Sequence, residues 1–169
     1  MQVSTPLQQR CELNGANPTV GDLMSLCEEN YRALQRLAPN LPRLNGPFVS
    51  SNEGGADLLL EVREQAPFTT IFRLTHLFAG PDERGCWRPD PDALLRAYHD
   101  AGQVEVLDLR QTALPVFNHY RSPALQAKWK ANLFVSKWLS YCLSQGHHFP
   151  PPVATLPQHN SPRELTPAP

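Results

Sequence analysis

The chain runs to 169 residues, with 15 Lys and Arg against 16 Asp and Glu for a net charge of −1, and 41% of its residues are hydrophobic. That length fits one domain able to close its own core, and the near balance of charge excludes the strongly basic class of nucleic-acid binders. No stretch reaches the roughly 20 apolar residues of a membrane-crossing helix, and the opening MQVSTPLQQRCELNG lacks the basic start and apolar run of a secretory leader.

Cys11, Cys27, Cys86 and Cys142 are widely spaced and form no CxxC pair. This predicts a reduced, cytoplasmic setting and no metal site built on thiols. The charge is unevenly placed: fifteen acids and nine arginines lie at or before Asp108, and six basic residues with Glu164 alone lie beyond it. The expected consequence is a basic C-terminal part docked on an acidic body, or charges that are simply solvated. The alternative use of that part is weak contact with nucleic acid or an acidic partner through Lys128, Lys130 and Lys137.

In chain order, residues 1–18 read as a polar, flexible arm. Thr19 can cap a helix running to Leu37, with Leu23, Leu26, Cys27, Asn30, Leu34 and Leu37 at helical spacing and Pro39 as its stop. Its polar face carries acids early and arginines late, and Tyr31 reads as a packing residue at its rim. Residues 40–55 are a connection with a short strand around Phe48 to Ser51. Asp57 to Gln65 and Phe68 to Phe78 alternate apolar and polar residues as two strands joined by a turn at Ala66-Pro67. Ala79 to Pro91 is a turn-rich loop carrying Trp87.

A second hairpin spans Asp92 to Leu109. With Ala101-Gly102 as its loop, His99 lies opposite Val104 and Ala97 opposite Val106; a three-residue loop with Gly102 left-handed slips the pairing by one. The first register separates faces more cleanly, with Leu95, Ala97, Val104 and Val106 on one side and Arg96, Tyr98 and Glu105 on the other. The longest element is a helix from Ser122 to Gly146, with Pro123 at its start and Gly146 as its stop. Leu125, Trp129, Leu133, Leu139 and Leu143 gather on one flank and Phe134, Val135, Trp138 and Cys142 on another. A helix so widely apolar belongs inside, with the sheet on one side and the N-terminal helix or a second subunit on the other. The Pro-rich residues 150–169 read as a disordered tail.

These elements predict an α+β domain over residues 19–149, with about four antiparallel strands in two hairpins packed against a C-terminal helix and an N-terminal helix. The runs LLRAYHDAGQVEV, LMSLCEENYRALQRLAP and NLFVSKWLSYCLSQG resemble the YqiB-like proteins, a bacterial family of unknown function. The similarity covers roughly Thr19 to Phe149. It implies a small cytoplasmic bacterial protein and brings no activity, cofactor or catalytic residue with it.

No GxSxG, glycine-rich phosphate loop, HExxH or spaced Cys and His set is present, so the residues predict no cofactor and no metal. Neighbouring His147 and His148 lack the spaced acid or thiol that would complete a metal site. The expectation is a binding or interaction domain for a protein or small-molecule partner, with homodimerisation left open. Its candidate ligand site is the Tyr98-His99-Asp100 turn with Glu105, Arg96 and Arg73. The alternative is a small enzyme with His99 as general acid or base, oriented by Asp100 or Glu105. The bland reading of the turn has Asp100 capping loop amides and His99 bonding a carbonyl.

Overall fold

The computed structural model describes residues 17–78, 88–112 and 125–149. The arm up to residue 16, residues 79–87 of the turn-rich loop with Trp87, the Ser122-Pro123 helix start and the Pro-rich tail lie outside them. The described elements are α1 (Val20–Leu37), a 3-10 turn (Leu41–Arg43), β1 (Gly46–Ser50), β2 (Asp57–Ala66), β3 (Thr69–Phe78), β4 (Arg88–Tyr98), β5 (Gln103–Arg110) and α2 (Leu125–Ser144). All neighbouring strands pair antiparallel in the order β1-β2-β3-β4-β5. The sheet therefore has five strands and not about four. The fifth is β1, the short strand read around Phe48 to Ser51, which joins the two hairpins' sheet at its edge, where Pro47, lacking an amide, is tolerated.

Thr19 begins α1 as its pattern requires. Its hydroxyl accepts from the Asp22 amide at 3.1 Å, and the Asp22 carboxylate accepts from the Thr19 amide at 2.9 Å. Two otherwise orphaned donors of the first turn are satisfied reciprocally. The opposite end closes on a distant segment, because the Phe149 amide donates to the Leu37 carbonyl at 2.8 Å while its ring enters the core.

The core lies between the helices and one face of the sheet. Leu58, Leu60, Phe72, Leu74, Leu95, Ala97, Val104 and Leu109 meet Leu34 and Leu37 of α1 and Val135, Trp138, Leu139 and Cys142 of α2. Trp129 and Trp138 are each 5% exposed. The helix pair α1 and α2 packs together and both touch β5. The second flank of α2 is thus enclosed by α1 of the same chain. Asn30 donates to the Asn132 carbonyl at 3.0 Å, and the Cys27 thiol faces Asn132 Oδ1 at 3.7 Å across that contact. Lys130 and Lys137 stand on the exposed side of α2, while Lys128 is half-buried.

Both hairpins differ from the sequence reading in their turns. Ala66 pairs with Thr69, so the first loop is Pro67-Phe68 and the Phe68 ring lies in solvent. Tyr98 pairs with Gln103 and Ala97 with Val104, which makes the second loop four residues, His99 to Gly102. Neither predicted register holds, yet the division of faces does: slipping a pairing by two leaves every side chain on its side of the sheet. Gly102 does adopt a left-handed φ of 61°.

Candidate functional site

The six residues singled out in the sequence separate into three places. Arg96, Tyr98 and Glu105 come together on the sheet face opposite the helices. Tyr98 donates to Glu105 Oε1 at 2.8 Å, and Arg96 reaches the same oxygen at 3.5 Å. Arg73 lies on this face too, but in a two-pronged ion pair with Asp92 at 2.6 and 3.0 Å. With Arg63–Glu61 at 2.9 Å and Arg110–Asp108 at 3.5 Å, four arginines there each have a carboxylate. The Arg73 end of the face is a shallow depression of about 500 Å³ whose charges compensate one another.

Asp100 is exposed and accepts from the Ala101 amide at 2.9 Å. His99 turns the other way. Its backbone amide donates to the Phe68 carbonyl at 2.9 Å, and its ring bridges Tyr31 of α1 and Thr70 of β3. A bulge in β2 between Val62 and Glu64 swings Gln65 to the core side, where Gln65 Nε2 donates to the Leu41 and Leu44 carbonyls at 2.9 and 3.0 Å. Gln65 Oε1 then accepts the Thr70 hydroxyl proton. Thr70 has no second proton to give, so it accepts from His99 Nε2–H at 2.7 Å, and His99 Nδ1 accepts from the Tyr31 hydroxyl at 3.1 Å. A neutral imidazole with its proton on Nε2 satisfies every member of this network. Burial pushes the His99 pKa below its usual value, against an opposing pull from the Asp100 charge. Tyr31→Phe is expected to cost about 1 kcal/mol in urea unfolding, because His99 Nδ1 loses its donor while the packed ring stays.

A different constellation gathers where the far end of β3 meets the C-terminal end of α2. Phe72, Leu74 and His76 follow one another along the core face of β3, and His76 sits in a row with Leu58 and Ser50. His76 is only 3% exposed. The Trp138 indole donates to its Nδ1 at 2.9 Å, which leaves the proton on Nε2, 4.0 Å from the Cys142 sulfur. Burial and, after it, the neighbouring His147 push the His76 pKa down to about 4. Burial likewise pushes the Cys142 thiol up to about 12.

The second imidazole arrives through the end of α2. Gly146, at φ 78°, donates to the Leu143 carbonyl at 3.0 Å, and His147 donates to the Cys142 carbonyl at 3.0 Å. This left-handed helix stop reverses the chain and aims His147 back at the sheet. Its Nδ1 lies 3.0 Å from the Ser50 hydroxyl, which also accepts from the His148 amide at 3.2 Å. His147 is buried and His148 exposed, so the doubled histidine does not act as a pair. The ring centroids of His76 and His147 are 5.6 Å apart. Burial lowers the His147 pKa, partly offset by the Ser50 backbone and the Asp57 charge.

These two imidazoles line a pocket of about 360 Å³ with Phe78, Tyr141, Gln145, Asn52 and the Gly54-Gly55 turn. Phe78 and Tyr141 stand 51% and 48% exposed at its rim, each about 6 Å from the His76 ring. Asn52 Nδ2 donates to the Gln145 carbonyl, tying the β1–β2 loop to the helix end. Sequence reasoning passed over both histidines as ligands. Two signals were present: His76 continues the Phe72-Leu74 alternation onto the core face, and His147 directly follows the glycine that stops the helix. No group of three His, Cys, Asp or Glu among the described residues has the spacing to hold a metal ion.

A family model described as "Protein of unknown function (DUF1249)" matches residues 33–148. The "Uncharacterized protein YqiB" of Escherichia coli strain K12 is 30% identical over 135 residues, covering 76% of this chain and 91% of that protein. The proteins of the same name from E. coli O6:H1 and O157:H7 match to the same extent. No solved structure matches.

Proposed function

The chain belongs to the DUF1249 family, whose members are of unknown function, and from that premise we propose that it is a binding domain whose ligand site is the His76–His147 pocket. One observation carries the reading: two imidazoles from segments 71 positions apart are buried side by side beneath a pocket whose rim is two half-exposed aromatic rings. A position following Phe72 and Leu74 on a core face is ordinarily filled by an aliphatic side chain, which needs no partner. An imidazole there demands hydrogen bonds, and Trp138 supplies one. The pocket volume falls at the lower end of the range of about 300–1,000 Å³ typical of small-molecule sites. We read His99 as the pin that ties the second hairpin to α1, and the arginine-carboxylate face as a solvated surface.

The test is a titration of isotope-labelled protein with a mixture of small ring fragments, followed by amide shifts. Shifts are expected at Gly54, Gly55, Gln145 and His147 and are expected to vanish in Tyr141→Ala. Shifts confined to the Arg73–Asp92 depression, or none at all, sink the proposal.

A further inference from the structure

We infer that the pocket selects a small planar nitrogen heterocycle that donates an N–H hydrogen bond and carries no negative charge. The inference rests on the pocket being the ligand site and adds what that ligand is. Shape comes first. His76 has the rings of Phe78, Tyr141 and His147 around it at centroid distances of 6.2, 6.0 and 5.6 Å, tilted by 52°, 77° and 52°. Walls of this kind receive a flat ring by offset or edge contact, and the half-exposed Phe78 and Tyr141 have the apolar area to gain from it. About 360 Å³ holds one ring system with a short substituent.

Charge then excludes one class. Among the described residues no Lys or Arg lines the pocket, and the helix that reaches it presents its C-terminal end through Tyr141 and Gln145. The aligned peptide dipoles place partial negative charge at that end, which repels an anion. Asp57, near enough to be felt by His147, adds to the same sign. His76 offers no counter-charge, since its Nδ1 lone pair is already occupied by the Trp138 N–H. A phosphate or carboxylate would therefore enter without a cationic side chain, among the described residues, to pair with. Conversely, Asn52 commits its Nδ2 to the Gln145 carbonyl, which leaves its Oδ1 as an acceptor at the pocket, and an acceptor calls for a ligand that donates.

Three probes on one scaffold separate these features: benzimidazole, 1-methylbenzimidazole and benzimidazole-5-carboxylate, titrated at neutral pH while the Gly54, Gly55 and His147 amides are followed. Benzimidazole is expected to shift all three. Loss of its N–H should weaken binding about fivefold, the worth of one neutral hydrogen bond. The carboxylate should weaken it by about tenfold or more. Equal or tighter binding of the carboxylate, or no penalty on N-methylation, overturns the ligand class while leaving the pocket as the site. If the fragment mixture moves the pocket amides but none of these three probes does, the class falls and the pocket stands. If the pocket amides never move, both fall.

Discussion

Trp138→Ala is expected to lower the unfolding free energy by about 3–5 kcal/mol, the usual cost of truncating a buried aromatic side chain. Trp138 sits at the junction of both layers: its ring packs 6.3 Å from Phe134 and its indole N–H ends on His76. Truncation leaves a cavity and, in addition, a buried Nδ1 acceptor with no donor. Trp138→Phe separates these contributions. It keeps an aromatic ring in the site while removing the N–H and part of the indole volume, so it should cost less, about 1–3 kcal/mol. Urea unfolding with an unchanged denaturant slope is the measurement, since a changed slope would report an altered unfolded or native state and not the contact. A loss under about 1 kcal/mol for Trp138→Ala would mean the two layers are not joined through this residue. The same variant should abolish benzimidazole binding, because the His76 ring is no longer held.

Much of this architecture is written locally. Thr19 with Asp22 three residues on specifies where α1 starts, and the alternation in Leu58-Leu60-Val62 and Thr70-Phe72-Leu74 specifies which face of the hairpin is inside. The apolar breadth of α2 required two neighbours, and the sheet and α1 are those neighbours. What was not legible is what depends on pairing between distant segments. The short strand read around Phe48 to Ser51 is β1, but its start at Gly46-Pro47 and its place as a fifth strand of the sheet come from β2 alongside it. The bulge between Val62 and Glu64 breaks the period of two, and only its consequence, Gln65 turned toward Thr70, explains the partners of the half-buried His99. A candidate site assembled from neighbours in sequence, Tyr98, His99 and Asp100, is separated by the very alternation that defines a strand end. The His76–His147 pair has the opposite character: far apart along the chain, and joined only because a left-handed glycine ends α2 over the end of β3.

Acid should expose the buried imidazole directly. The His76 pKa is near 4 in the folded protein against 6.5 for the free side chain, chiefly because burial disfavours the cation. Between those two values the unfolded chain binds a proton that the folded chain refuses, so stability falls as pH falls through this window and the loss is complete only below the folded value. From pH 7 to pH 5 this single group should remove about 2 kcal/mol, with His147 and His99, both also lowered by burial, adding in the same direction. His76→Gln isolates the effect, since a carboxamide oxygen can accept the Trp138 N–H without titrating. Wild type and variant compared by urea unfolding at both pH values should therefore diverge, the wild type losing about 2 kcal/mol more. Parallel losses would show that His76 is open to solvent and protons. The pocket would then have a charged wall at mildly acidic pH, and a site built to reject anions would be the wrong description of it.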